Sequence, residues 1–142
     1  MIKIPIIQQN KDYNCGEAVV QALLLYYGSN IKNFRFASEV DGTNPRVIEH
    51  QLRLQGFNVV SGNFGWELLK YYIKKKLAVI VCSDGHWKIV CGIENRSVIF
   101  MDPLYDVYQK ISIIKFKDSW LDYDSMAVKY RSWGIVANPS YG

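Results

Sequence analysis

Four residues of this 142-residue chain have the types and spacing to carry out acyl transfer. Cys15 is followed by Gly16 and then by a run in which Ala18, Ala22, Leu25 and Tyr26 fall on one helical face. Gly28 is a natural stop, so the helix runs to about Tyr27 and Cys15 stands at its start. The thiolate, not the thiol, is the nucleophile, and the dipole and free N–H groups of a helix start favour it. Gly16 leaves the backbone open beside the sulfur, so a substrate can come close. Gln9, upstream on the loop entering the helix, carries an amide that can donate to an oxyanion above Cys15. Taken alone, Cys15 reads as a small core residue, because Cys is among the most buried types. The choice turns on whether a base and an orienting acid exist elsewhere.

Both exist. Of the two histidines, His50 sits between Glu49 and Gln51 in a helical pattern with no visible partner. His86 follows the turn Ser83-Asp84-Gly85 and opens the strand H-W-K-I-V-C-G. Functional side chains are commonly presented where a strand meets a loop. A turn near Asn95 folds the next strand, Ser97 to Met101, back along the first. Asp102 then lands within about three residues of standing opposite His86. A carboxylate there can accept the ring N–H and fix tautomer and orientation. Pro103 ends that strand and stiffens the chain. The roles are nucleophile for Cys15, general base for His86, orienting acid for Asp102 and oxyanion donor for Gln9. Gly16 and Gly85 give backbone room for substrate beside these groups. Tyr13, Trp66 and Trp87 either flank the cleft or fill the core. Trp87 alternates with His86 and Lys88 and so points into the core.

The elements that must position these residues read as α+β. Residues 2–8 suit a short edge strand, where Pro5 is tolerated. Residues 30–40 suit a helical turn, and Asp41-Gly42 a turn. Asn44-Pro45 starts a helix with Ile48 and Leu52 on one face, and Gly56 ends it. Phe57 to Val60 is a short strand. Asn63 caps a helix from about Phe64 to Lys75, with Leu68, Leu69, Tyr72 and Ile73 inward. Buried or alternating strands follow at 77–82, 87–93, 97–101, 107–113 and 133–137, with a short helix at 115–122. Helices first and an antiparallel sheet after is α+β order, not alternating α/β.

Composition bounds the function. The length is that of one domain, 1–142, able to bury a core without staples. The net charge of +4 is mild and scattered. The run Lys74-Lys75-Lys76 sits where a helix ends, which suits the dipole. With no basic stripe or recognition motif, nucleic acid is excluded as a partner. The longest apolar run, Leu77 to Cys82, is far too short to cross a membrane. Three cysteines without metal-ligand spacing imply neither a disulfide framework nor a metal, and no cofactor is expected. The first seven residues are too short for the apolar core of a signal peptide. The expectation is a cytoplasmic protein, or one exported without a cleavable signal.

The stretch Q-x5-C-G-x-A followed by a helix ending Tyr-Tyr-Gly resembles the bacteriocin-processing cysteine peptidases, papain-like domains that remove double-glycine leader peptides. H-W-x-I-V-x-G, the later D-P and the 16-residue step from His86 to Asp102 carry the resemblance onward over nearly the whole chain. It implies a papain-like fold, N-terminal helices packed on a C-terminal antiparallel sheet. It also implies a cysteine peptidase with a peptide or protein substrate, in which Cys15, His86, Asp102 and Gln9 take the roles given above. An export system supplied by other chains is a further implied partner. Two features depart from the family pattern. Asn14 stands where members usually have Asp before the Cys-Gly pair, and the chain has no P-loop of an exporter ATPase. A stand-alone peptidase is therefore expected. The same groups also serve amidases, transglutaminases and acyltransferases, and the fold can persist as a peptide-binding domain with an unused site.

Overall fold

The apolar strands expected in the second half of the chain alternate well-filled positions on both sides, and they form the middle of one sheet. The computed structural model describes residues 1–11, 15–28, 44–83, 86–120 and 131–139. In chain order it contains α1 (Cys15–Tyr26), α2 (Pro45–Leu54), β1 (Phe57–Asn63), α3 (Gly65–Lys74), β2 (Val79–Ser83), β3 (His86–Glu94), β4 (Ser97–Met101), β5 (Gln109–Ser112), α4 (Ile113–Trp120) and β6 (Trp133–Pro139). The strands pair antiparallel in the order β1-β6-β2-β3-β4-β5.

Successive strand side chains point to opposite faces, and the core divides accordingly. Ile80, Trp87, Ile89, Cys91, Met101 and Ile135 pack with Val19 and Leu23 of α1 and with Ile48 and Leu52 of α2. Val79, Val81, Val90, Val98 and Phe100 pack with Leu69 of α3 and with Phe116 and Trp120 of α4. The α+β class with an antiparallel sheet is thus the observed one, with two helices on each face. Trp87 is buried on the α1 face, as its alternation with His86 requires.

Helix α2 starts as its sequence dictates. Asn44 Oδ1 accepts the Arg46 N–H at 2.8 Å, and Pro45 takes the first helical position. Helix α3 departs in two ways from the sequence reading. Asn63 does not cap it: its side chain donates to the Arg131 carbonyl at 2.5 Å, and Phe64 occupies the cap position without a side-chain bond. Leu68 faces outward at 37% exposure, because the stripe α3 lays on the sheet runs through Leu69. Residues 2–8 do not form an edge strand. The sheet's edges are β1 and β5, while Ile2 and Ile4 are buried in the α1-face core. A register shift in β3 between Val90 and Gly92 frees the Cys91 carbonyl, which accepts the Ile2 N–H at 2.8 Å. The Tyr108 hydroxyl donates to the Ile4 carbonyl. The turns expected at 30–42 lie outside the described residues.

Gly134 in β6 has no room for a side chain, since a Cβ there would stand 2.2 Å from the Phe64 ring. Gly134→Ala should lower stability by about 1–3 kcal/mol in urea unfolding. In a Phe64→Ala background the same change should cost measurably less. Equal costs in the two backgrounds would mean that the ring is not what excludes the methyl.

Candidate active site

The β3–β4 hairpin sets the register on which the site is built. Ile89 pairs with Met101 and Val90 with Phe100. Continued by one step, Asp102 stands across from Lys88, two residues short of His86. Diagonal neighbours of this kind lie within reach of long side chains. The Asp102 carboxylate takes the diagonal: its Oδ1 is 2.5 Å from His86 Nε2. The same oxygen accepts the Leu104 N–H at 2.9 Å, and the Asp102 carbonyl accepts the Tyr105 N–H at 3.0 Å. The tight turn after Pro103 thus holds the carboxylate in place, and Asp102 is only 4% exposed.

Cys15 is the first residue of α1 and is buried. Its side chain is near enough to His86 to act on the ring. Because Asp102 occupies Nε2, Nδ1 is the ring nitrogen left for the sulfur. One imidazole therefore stands between a thiol and a carboxylate. Burial of the ring works against its positive charge. The hydrogen bond that the ring donates to Asp102, the influence of Cys15 and the charge of Asp102 outweigh burial, and His86 is raised from 6.5 to about 9. For Asp102, burial pushes the carboxyl up. The bonds from His86 and Leu104, with the charges of His86 and Lys88, overcome that and hold it below the ordinary carboxylate range.

Gln9 is brought to the same place by the backbone. Its N–H donates to the Pro103 carbonyl at 2.9 Å, which ties the loop before α1 to the turn after Asp102. Its side-chain Nε2 gives one N–H to the Lys11 carbonyl at 2.7 Å. That carbonyl fixes the amide's orientation, because only the NH₂ end can meet it. One N–H remains, and Oε1 is buried with no partner among the described residues. An unsatisfied buried acceptor costs about 1–3 kcal/mol, an expense characteristic of a site awaiting a ligand. A groove of about 180 Å³ lies between Gln8–Lys11 and Pro103–Leu104.

Gly16 sits buried as the second residue of α1. Tyr13 and Gly85 lie outside the described residues. Trp66 is not brought to the site. Its ring packs against Phe116 at 6.1 Å between centroids and carries the Lys117 ammonium at 5.0 Å, in the core across the sheet from α1. His50 is exposed on α2. The sequence reading did not single out Lys88, whose buried ammonium stands across from Asp102. Its signal was a charge inside an otherwise apolar strand.

The sequence model of the Peptidase C39 family matches residues 3–128. Among solved structures, the chain resembles a double glycine motif protease from an AMS/PCAT transporter, crystallised with its leader peptide. The TM-score is 0.76 at 18% identity, over 98% of this chain and 94% of that one. It also resembles the peptidase domain of Streptococcus ComA, described as a bi-functional ABC transporter of a quorum-sensing pathway. Here the TM-score is 0.70 at 20% identity, over 97% and 100% of the two chains. The Streptococcus mutans ComA peptidase domain gives 0.67 at 21% identity, over 94% and 98%. At these identities the likeness is one of fold. No curated protein matches the chain.

The shifts at His86 and Asp102 make stability depend on pH. A histidine raised from 6.5 to about 9 contributes stability that is fully present below 6.5 and is lost as pH rises through about 9. The lowered Asp102 contributes above its ordinary value of 3.8 and loses that contribution in acid. Urea midpoints of the wild type should therefore decline between pH 6.5 and 9. Asp102→Asn should flatten that decline, and an unchanged slope would remove the pair as its source.

Proposed function

The chain belongs to the Peptidase C39 family and is a cysteine peptidase, and from that premise we propose that it hydrolyses peptide bonds through Cys15, His86 and Asp102, with Gln9 on the oxyanion. The observation that carries the reading is the His86 ring, with Nε2 2.5 Å from Asp102 Oδ1 and the Cys15 side chain, at the start of α1, near enough for its charge to act on the ring.

His86 takes the Cys15 proton through Nδ1, and its charge is held by Asp102 on Nε2. The sulfur attacks the scissile carbonyl carbon, and the carbonyl π electrons move onto oxygen. The Cys15 N–H, at a helix start where N–H groups have no partner within the helix, and the free N–H of Gln9 receive that oxyanion. Collapse breaks the C–N bond as His86 protonates the leaving amine. Water, deprotonated by His86, then opens the thioester and returns Cys15 to its resting state. Asp102 keeps the ring oriented through both halves of the cycle.

For substrate we propose a peptide carrying a double-glycine leader. The support is the fold shared with a protease of that motif. Among the described residues no helix is long and apolar enough to cross a membrane.

Three changes test the reading on a synthetic double-glycine leader peptide. Cys15→Ala should abolish cleavage. Gln9→Ala should lower turnover by about 10²–10³ with the circular dichroism spectrum unchanged. In the wild type, iodoacetamide should alkylate Cys15 readily, and that reactivity should fall sharply in His86→Ala. A folded Gln9→Ala protein of full rate would take Gln9 out of the mechanism. Alkylation indifferent to His86 would take the pair out with it, and a binding domain with an unused site would become the better reading.

A further inference from the structure

Lys88 is a lysine at 9% exposure in the middle of β3. A buried ammonium is costly unless its charge is answered. Its Nζ donates to the Ser83 hydroxyl at 2.9 Å and lies 5.1 Å from the centre of the Phe100 ring. Ser83 is itself fully buried. Among the described residues no carboxylate comes within ion-pair distance of Lys88. The register supplies the missing charge. His86, Lys88 and Val90 share one face of β3, and the ladder Ile89↔Met101 carried on by one step puts Asp102 directly across from Lys88. Residues so placed have Cβ atoms about 4.5–5.5 Å apart.

A direct Lys88–Asp102 pair would compete with His86 for the carboxylate. The β2–β3 register pairs Ser83 with His86, which sets the hydroxyl diagonal to Lys88. The hydroxyl draws the ammonium toward β2, while Asp102 Oδ1 goes to His86 and to the Leu104 amide. We infer that Lys88 is a positioning residue of the active site: its buried charge, held back by Ser83, keeps Asp102 ionised and its oxygen free for His86. The charge of Lys88 is among the influences that hold the Asp102 carboxyl down. Among the described residues, the titratable and charged groups that act on Asp102 are His86 and Lys88 of β3, with Cys15 of α1 beyond the ring. With His86 protonated and Cys15 ionised, the four groups carry two positive and two negative charges, so the cluster is neutral when ready to react. This inference rests on the proposed roles of Cys15, His86 and Asp102.

The test uses the full chain as wild type, Lys88→Met and Lys88→Arg. The Asp102 carboxyl carbon is followed by NMR against pH, and Cys15 alkylation by iodoacetamide is followed in parallel. Lys88→Met should raise the Asp102 midpoint by about one pH unit and move the acid limb of alkylation up with it. Lys88→Arg, which keeps the charge, should leave the midpoint at the wild-type value. Lys88→Gln takes the place of Lys88→Met if circular dichroism shows that the methionine variant does not fold. An Asp102 midpoint equal to wild type in a folded neutral variant overturns the inference. The carbon titration needs no activity, so it decides the role of Lys88 by itself. Alkylation in His86→Ala separately decides whether His86 acts on Cys15.

Discussion

A carboxylate buried to 4% exposure stays ionised only where donors and positive charge surround it, and much of the geometry around β3 and β4 serves that condition at Asp102. The hairpin register sets Asp102 on the diagonal from His86. The turn after Pro103 adds the Leu104 amide, and β3 contributes the Lys88 charge. The register and the Leu104 amide are fixed by the backbone, whereas the Lys88 ammonium is held by the Ser83 hydroxyl. A charged Asp102 in turn supports a positive His86, whose other nitrogen is left for Cys15.

The N-terminal segment answers to the same condition from the opposite side. It is pinned first where the β3 irregularity exposes the Cys91 carbonyl to Ile2, then at Ile4 by Tyr108, and last at Gln9 by the Pro103 carbonyl. That last bond couples the loop leading to Cys15 to the turn that holds Asp102. Cys15 and Asp102 lie 87 positions apart in sequence (15 and 102), yet one backbone hydrogen bond relates the two loops. Had these residues formed an edge strand, their N–H groups would have been spent on a ladder. Gln9 would then have had no tie to the turn.

Sequence made the site more legible than its surroundings, for a physical reason. Cys15 at a helix start, His86 at a strand start and Asp102 before Pro103 all stand at ends of elements, where periodicity breaks and a residue is conspicuous. The hairpin turn at Asn95 then fixes the register to within a residue or two. Other features depend on contacts that no local pattern encodes. Leu68 and Leu69 are equally apolar, and only the line along which α3 meets the sheet decides that Leu69 is buried. Asn63 has the chemistry of a cap but finds the Arg131 carbonyl instead. Residue type alone leaves Trp66 open between the cleft and the core. Its place across the sheet follows from the order in which β1 returns to pair with the last strand, a long-range fact. Lys88 was visible as a charge within an apolar strand, but its meaning needed the register.

Glu49 and Asp102 are both buried carboxylates, and their partners distinguish them. Glu49 is fully buried in α2, and its oxygens are bonded to the Trp133 indole N–H at 3.1 Å and to Arg46 at 3.0 Å. Arg46 also lies over the Trp133 ring, 5.0 Å from its centre. Both donors keep their protons at any pH the protein meets, so the bonds have one state and fasten α2 to β6. Asp102 has the opposite arrangement. Its main side-chain partner is an imidazole that can give up or take a proton, and that imidazole touches a thiol. Burial is similar in the two places, and the partner's ability to change charge separates them. On the same ground Gln9 belongs with Asp102. Among the described residues its amide keeps one N–H unused and a buried oxygen without a partner.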